Sequence, residues 1–585
     1  MNTVIAKIKD YLKSIPKDMD RNKWIFIAAF FVTVLVKLLL FTNTVNNGLH
    51  IWSGCESPIN EFLVNYSIYV GVALFFVAVG LCSKYFIGGF VLDFILDIWI
   101  WANLISLRSH GLMITGYDFR IVGNMNGFWD SIFVFIHFSD ILMFIITGAF
   151  IYVWLKKLNQ PEQIHWRLGV PALLISIFLF MIKPVHFHNI WGMPTNICKQ
   201  LNVTGEGRKT FAADYTIFSN LWSEIYFYSN LEDIPAKSQL TDDQIAKITS
   251  HMSFTNKQDT LRDNLVIILF ESLEGWVIGK NINGQEITPN LNKLTQTNSI
   301  YGVKMSAQTQ RGASSDAQLT INTGLMPLIY EAVSFAYTNN KYYSIGDAMA
   351  KLGSHNIMRI PTDASAWNQI NISKPWGYPT LYAKECSDEE LFNDLAATID
   401  SIPEPYCIQA VTMASHAPFW KYAGLSTLEV PNDGLPTDKI NYLKSVNYTD
   451  RCIGQFLDAV KDNPKMQNTT IVIVGDHSIF NDSRQDFAGS ETGKALNAAD
   501  ASYFVPFIIH SPKNLQTKEI TDTTYHMDIY PTLLSIFKLD NYPWRGIGCD
   551  LTKPIERTMN EGDLSDLCGM IIRSDFFQEN KETKE

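Results

Sequence analysis

The chain has 585 residues, more than one domain usually holds, and a formal net charge of −11. No basic stripe is present to neutralise phosphates, which excludes an ordinary nucleic-acid binder. The eight cysteines (55, 82, 198, 386, 407, 452, 549 and 568) form no CxxC pair, so neither a zinc site nor a disulfide framework can be read from them.

Residues 1–183 carry long apolar runs, whereas 205–585 read as a charged globular protein. A bilayer core takes about 20 mostly apolar residues per helix. Five runs approach that length, at 24–42, 66–81, 90–107, 132–155 and 169–185. Lys and Arg placement sets the orientation. Lys7, Lys9, Lys13, Lys17, Arg21 and Lys23 put the N-terminal segment in the cytoplasm, and 43–65, with neither residue type, falls outside. Lys84, Lys156, Lys157 and Arg167 return to the inside, while Arg108 and Arg120 run against the trend. The expectation is a multi-pass protein of the cell (inner or cytoplasmic) membrane, its N-terminus cytoplasmic and everything after about residue 186 extracytoplasmic.

Ionisable groups within spans are costly and need partners or a wet cavity. Asp93 and Asp97 share a helix face by their i, i+4 spacing, and His137 and Asp140, three residues apart, share one in the next span. Two readings stay open for them: interhelical hydrogen bonding, or a polar groove that admits a lipid headgroup. Lys37, near the outer end of its run, is expected to snorkel. Residues 186–263 read as a juxtamembrane linker, aromatic early on (Trp191, Trp222, Tyr226) and suited to a bilayer surface. Within it, Thr241-Asp-Asp-Gln244 is a capping box that opens a short helix.

From 264 onward short apolar runs alternate with amphipathic stretches. Strands are expected at 265–270, 356–360, 406–413, 470–474 and 504–510, and helices at 289–297, 315–323, 344–352, 439–460 and 527–537. The expected fold is thus an α-helical transmembrane bundle of about five helices (1–185), the linker, an α/β domain with a central, mostly parallel sheet (264–555), and a C-terminal tail (556–585).

In open α/β sheets ligands bind beyond the carboxyl ends of the strands. There the first strand stops at Glu271, the strand 470–474 leads to Asp476-His477, and His416 follows the strand 406–413. The turn Gln310-Arg-Gly-Ala-Ser-Ser-Asp316 presents a hydroxyl at a helix start, from Ser314 or Ser315. Any one of these residues is more often a helix cap. Together, two carboxylates, an imidazole and a hydroxyl form an oxygen and nitrogen ligand set suited to one divalent cation. A serine bound to such an ion is activated as a nucleophile.

At these positions the chain resembles a known family. Thr288-Pro-Asn-Leu-Asn-Lys-Leu294, Gly475-Asp-His477, Val505-Pro506 and Asp528-Ile-Tyr-Pro-Thr-Leu-Leu534 look like signatures of the sulfatase branch of the alkaline phosphatase superfamily. Leu269-Phe-Glu271-Ser, Arg311-Gly-Ala-Ser314-Ser-Asp316 and Ser415-His416-Ala-Pro-Phe419, behind a five-helix anchor, resemble lipoteichoic acid synthases and related phosphoglycerol transferases. The resemblance implies that Glu271, Ser314, Asp476 and His477 bind one Mn²⁺-like ion (Zn²⁺ or Mg²⁺ being alternatives), with Ser314 in the slot of the family's nucleophilic Thr. It also implies that His416 contacts the transferred group and that Trp367 lines the substrate pocket. Gln369 stands where the family has an Arg. Arg359, near a family His, is expected to bind substrate and supply the missing positive charge.

The implied reaction moves phosphoglycerol, phosphoethanolamine or a similar headgroup from a membrane phospholipid to a glycan, lipid or polyol hydroxyl, through a covalent Ser intermediate. Two rival readings are a phosphodiesterase or phosphatase-type hydrolase of the same superfamily, and a non-enzymatic sensor with a decayed domain. Sulfate hydrolysis is not expected, because Ser314-Ser-Asp-Ala-Gln318 lacks the Pro and Arg that direct formylglycine formation.

Overall fold

The computed structural model describes residues 21–46, 58–110, 113–116, 118, 135–158, 165–186, 205–229, 240–252, 260–329, 331–479, 484–539, 541–557 and 559–578. It divides into two compact units, Met1–Gly116 with Ile132–Leu231, and Tyr117–Ser131 with Glu232–Glu585.

The first unit begins with five apolar helices: α1 (Arg21–Asn46), α2 (Pro58–Leu81), α3 (Ile87–His110), α4 (Phe138–Lys157) and α5 (Trp166–His186). Four are long and apolar enough to cross a membrane, and the fifth apolar stretch, Trp166–Ile182, is shorter. The fourth helix starts later than its apolar run, because Asp140 folds back to accept the His137 amide at 3.0 Å. Of the residues expected to begin that span, 132–134 lie outside the described ones. Lipid offers no hydrophobic drive between helices, so they associate by close packing. At Gly169 a Cβ would stand 2.4 Å from Cys82 Sγ and 3.0 Å from Ala78 O, so only glycine lets α5 sit this close to α2. Phe26, Phe30, Phe90, Phe150 and Trp154, from α1, α3 and α4, interlock edge-on with one another and with Phe86 just before α3.

Two expectations change here. Lys37 is buried rather than snorkelling, with its ammonium 2.8 Å from Asp93 and 2.7 Å from Asp97. Part of the presumed linker forms α6 (Gly205–Tyr215) and α7 (Ile217–Ser229), whose Phe211, Ala212, Ile217 and Phe218 are buried in the first unit. Tyr69 on α2 donates to Ala213 O, and Trp99 on α3 donates to Asn220 at 3.3 Å. These helices lack spanning length, and periodicity alone does not tell a helix packed on protein from one lying on lipid.

The second unit is built on a sheet of β1 (Asn264–Phe270), β2 (Ser299–Ser306), β3 (His355–Ile360), β4 (Thr380–Ala383), β5 (Tyr406–Val411), β6 (Thr469–Gly475), β7 (Phe504–His510), β8 (Lys518–Glu519) and β9 (Thr524–Tyr525). The order is β8-β2-β7-β6-β1-β5-β3-β4, with β9 also on β2, and among these strands only β7 runs antiparallel to its neighbours. Strand β1 has seven buried residues in a row, as a central strand covered on both faces requires. Leu265, Ile267 and Leu269 pack with helix α8 (Ser314–Thr323) on one face; Val266, Ile268 and Phe270 pack on the other with α10 (Asp388–Ser401) and α12 (Thr437–Val460). Between them α9 (Val333–Ala336) and, later, α11 (Trp420–Ala423) are single turns. The presumed C-terminal tail holds a helix, α13 (Glu561–Arg573), which Asn560 caps and whose Leu564, Leu567, Ile571 and Ile572 join the first of these cores.

Candidate active site

Register decides which side chains meet. β1 lies parallel between β5 and β6, and Phe270 faces Gly475. The next residues, Glu271 and Asp476, therefore leave the sheet side by side, and the Asp476 amide donates to Phe270 O at 3.2 Å. Glu271 is held from both sides: its amide donates to Thr412 Oγ1 at 3.0 Å, and Ser415 Oγ donates to its carbonyl. Gly475 admits no side chain, since a Cβ would stand 2.5 Å from Leu273 O.

Glu271, Asp476 and His477 are buried, with one ligand atom from each within 4.8 Å of the others. His477 Nδ1–H donates to Ser478 O at 3.0 Å, which turns the Nε2 lone pair inward. That Nε2 lies 3.5 Å from Glu271 Oε1 and 3.4 Å from Asp476 Oδ2. Ser314, the first residue of α8, brings Oγ to 3.2 Å from Glu271 Oε2 and 3.4 Å from His477 Nε2. Burial and then the neighbouring Glu271 push the Asp476 carboxyl up to about 7. Burial opposes a charged His477, but Asp476 and Glu271 outweigh it and raise its pKa. Asp476 Oδ2 is buried without a hydrogen-bond partner among the described residues. Two buried carboxylates, one with an orphaned oxygen among the described residues, converge with an imidazole nitrogen and a hydroxyl. This donor set fits a divalent cation, which would also neutralise the charge.

Ser315 points elsewhere. Its hydroxyl donates to Gly312 O at 2.7 Å and pairs with Ser334 Oγ on α9 at 3.0 Å. It does not cap backbone amides; Asp316 holds the turn instead, accepting the Gln310 and Gly312 amides at 2.8 Å each. Ala313, just before Ser314, has φ 44° and ψ −121°, a strained backbone for a residue with a Cβ. Ser315→Ala should lower stability by about 1 kcal/mol, for one lost hydrogen-bonding hydroxyl, and leave most activity. Thermal melts beside initial rates check this.

His416 belongs to the same neighbourhood. Burial lowers its pKa, and it feels both His477 and Asp476. Its Nδ1–H donates to Ala417 O at 2.7 Å, leaving the lone pair on Nε2. Asp388, the first residue of α10, anchors its loop by accepting from Met413 N at 2.8 Å, Ala414 N at 3.2 Å and Thr449 Oγ1 at 2.6 Å. Nothing in the strand pattern singles Asp388 out, although the capping box Ser387-Asp-Glu-Glu390 marks its helix start.

Trp367 is half-buried after β3 at φ 48°, 6.5 Å from the Phe335 ring between centroids. The next residue, Asn368, donates to Ser334 O at 2.8 Å, which ties this loop to the partner of Ser315. Gln369 is buried, and both its amide atoms lack hydrogen-bond partners among the described residues. Arg359 is not brought to the cluster. Strand alternation puts it on the face of Ile357, where it donates to Thr398 at 2.6 Å, lies 3.6 Å from Asp394 and stacks on Tyr382. Its expected role at the substrate is therefore withdrawn.

A sulfatase-type catalytic unit behind a set of apolar helices is the class that this fold and site define. A family model described as "Sulfatase" matches residues 263–539, and the "Lipoteichoic acid synthase N-terminal domain" model matches 6–190. Lipoteichoic acid synthase 1 of Bacillus subtilis is 23% identical over 529 residues, covering 85% of this chain and 81% of its own. The lipoteichoic acid synthase of Staphylococcus saprophyticus is 22% identical over 575 residues, covering 91% and 85%. Among solved structures, the lipoteichoic acid synthase LtaP of Listeria monocytogenes matches with a TM-score of 0.46 and 20% identity, over 59% of this chain and 98% of that one. Along this chain a lipoteichoic acid synthase N-terminal domain is thus followed by a sulfatase domain.

Proposed function

We propose that the protein is a membrane-bound, metal-dependent transferase that moves a phosphoglycerol or similar headgroup from a phospholipid to an acceptor hydroxyl through a covalent Ser314 intermediate. The observation that carries this reading is the Ser314 hydroxyl held within 3.4 Å of both Glu271 and His477, at a buried donor set. Relatives named lipoteichoic acid synthases, matched along most of both chains, support the substrate class. The intact donor set speaks against a decayed sensor.

Glu271, Asp476, His477 and Ser314 would hold the cation, which when bound supplies positive charge for the phosphoryl oxygens and lowers the pKa of the serine hydroxyl. Ser314 Oγ attacks phosphorus, the bond to the diacylglycerol oxygen breaks, and the serine proton ends on that oxygen. In the second step the acceptor oxygen attacks phosphorus and the bond to Ser314 breaks. His416, kept neutral by burial, takes the acceptor's proton and returns it to the serine. Trp367 offers an aromatic wall to the headgroup.

Incubating the purified full-length protein with headgroup-labelled phospholipids and following the label by mass tests the reading. Label on the Ser314 peptide and then on a hydroxyl acceptor is expected. Label released only as free headgroup phosphate, with acceptor present, would favour the hydrolase. The orientation part of the proposal puts the catalytic unit outside the cytoplasm. A reporter fused after residue 200 should be active there and one fused at residue 160 should not. Cytoplasmic activity of the first fusion would refute that orientation.

A further inference from the structure

Within the first unit, three helices bury one small polar cluster. Lys37 on α1 stands 2.8 Å from Asp93 Oδ1 and 2.7 Å from Asp97 Oδ1 on α3, and donates to Thr147 Oγ1 on α4 at 2.8 Å. Thr147 Oγ1 is in turn 2.8 Å from Asp93 Oδ2 and 2.6 Å from Asp97 Oδ2. All four side chains are at most 5% exposed. Among the described residues no other charged side chain forms an ion pair with any of them.

Charge and proton counts give the same answer. One ammonium against two carboxylates leaves one uncompensated negative charge in an apolar interior, which is costly. A hydroxyl has a single proton to give and two lone pairs to receive with. Thr147 already receives from Lys37, and its proton can satisfy only one of the two carboxylate oxygens beside it. The other oxygen, at hydrogen-bond distance, must bring its own proton. With one carboxylic acid present, Thr147 receives twice and gives once, and the cluster is neutral.

The geometry selects which carboxyl it is. Asp93 Oδ1 takes a well-aligned hydrogen bond from Lys37, as an ionised oxygen does. Asp97 Oδ1 is within ion-pair distance of the same ammonium but off the line of a hydrogen bond, and its Oδ2 makes the shorter contact to Thr147.

We propose that the membrane unit contains a proton-binding site in which Asp97 is a carboxylic acid that donates to Thr147, with the Lys37–Asp93 ion pair beside it. Lys37 donates to Asp93 and Thr147 and its charge lies against both carboxylates, so this site takes a proton and not a lipid headgroup. It is independent of the reaction assigned to the second unit.

Infrared spectroscopy of the full-length protein in lipid nanodiscs tests it, at a pH well above the titration of Asp316 and Asp476, both raised to about 7. Wild type should show an aspartic-acid C=O stretch, identified by ¹³C-aspartate labelling, that shifts in Thr147→Val and disappears in Asp97→Asn. The Asp97→Asn protein should keep the wild-type melting temperature within a few degrees, because its amide donates to Thr147 as the acid did, whereas Asp97→Ala should melt lower. Absence of the band in wild type overturns the proposal, as does a band that persists in Asp97→Asn. If a variant fails to fold, the labelled wild-type spectrum still decides.

Discussion

Replacing Ser314 by Ala should lower turnover by at least about a thousandfold, because a covalent route without its nucleophile keeps only binding and electrostatic help. The fold should survive: Ser314 Oγ has Glu271 and His477 as its partners, while Asp316 and Ser315 hold the turn. Ser314→Thr keeps a hydroxyl at the same point and should retain measurable activity. Intact-mass analysis during turnover, with peptide mapping, locates the adduct. An adduct on Ser315, or an active Ser314→Ala enzyme, would sink the assignment.

Asp476→Asn should reduce activity by more than about 100-fold and leave the purified protein without stoichiometric cation. Changes to residues that merely orient metal ligands already cost about 10- to 100-fold in affinity or rate. The amide also presents a donor towards His477 Nε2, where the carboxylate oxygen now stands 3.4 Å away. Metal analysis beside the labelled-lipid assay reads both effects. An Asn variant with full occupancy and full rate would show that Glu271, Asp476 and His477 are not the metal site.

Much of the site was legible because it sits on the most regular part of the chain. Glu271 and Asp476 follow two buried strands, whose apolar runs of six residues (265–270) and four (471–474) announce themselves. The serine helix carried its own punctuation in Gly312 and Asp316. Strand β2 went unread because Gly302 and Lys304 interrupt its pattern, and its pairing with β7, β8 and β9 is what makes it a strand. Arg359 was misplaced because proximity along the chain says nothing about which face of β3 it occupies. Asp388 was missed, and Lys37 taken for a snorkelling side chain, for a related reason: their partners, Thr449 and Asp93, lie 61 and 56 residues away. A buried ion pair between helices leaves no local pattern to detect.

The sheet order has a consequence for how such proteins diverge. The groups assigned to chemistry follow β1, β5 and β6 or open α8, while Trp367 and Gln369 hang from β3, outside those three strands in the sheet. Edits to the β3–β4 crossover can therefore reshape what is recognised while the register of Glu271 against Asp476 stays untouched. Lineages built on this plan are free to change substrate in small steps and inherit the reaction whole. Gln369, buried with both amide atoms lacking hydrogen-bond partners among the described residues, is one position where such an edit would act.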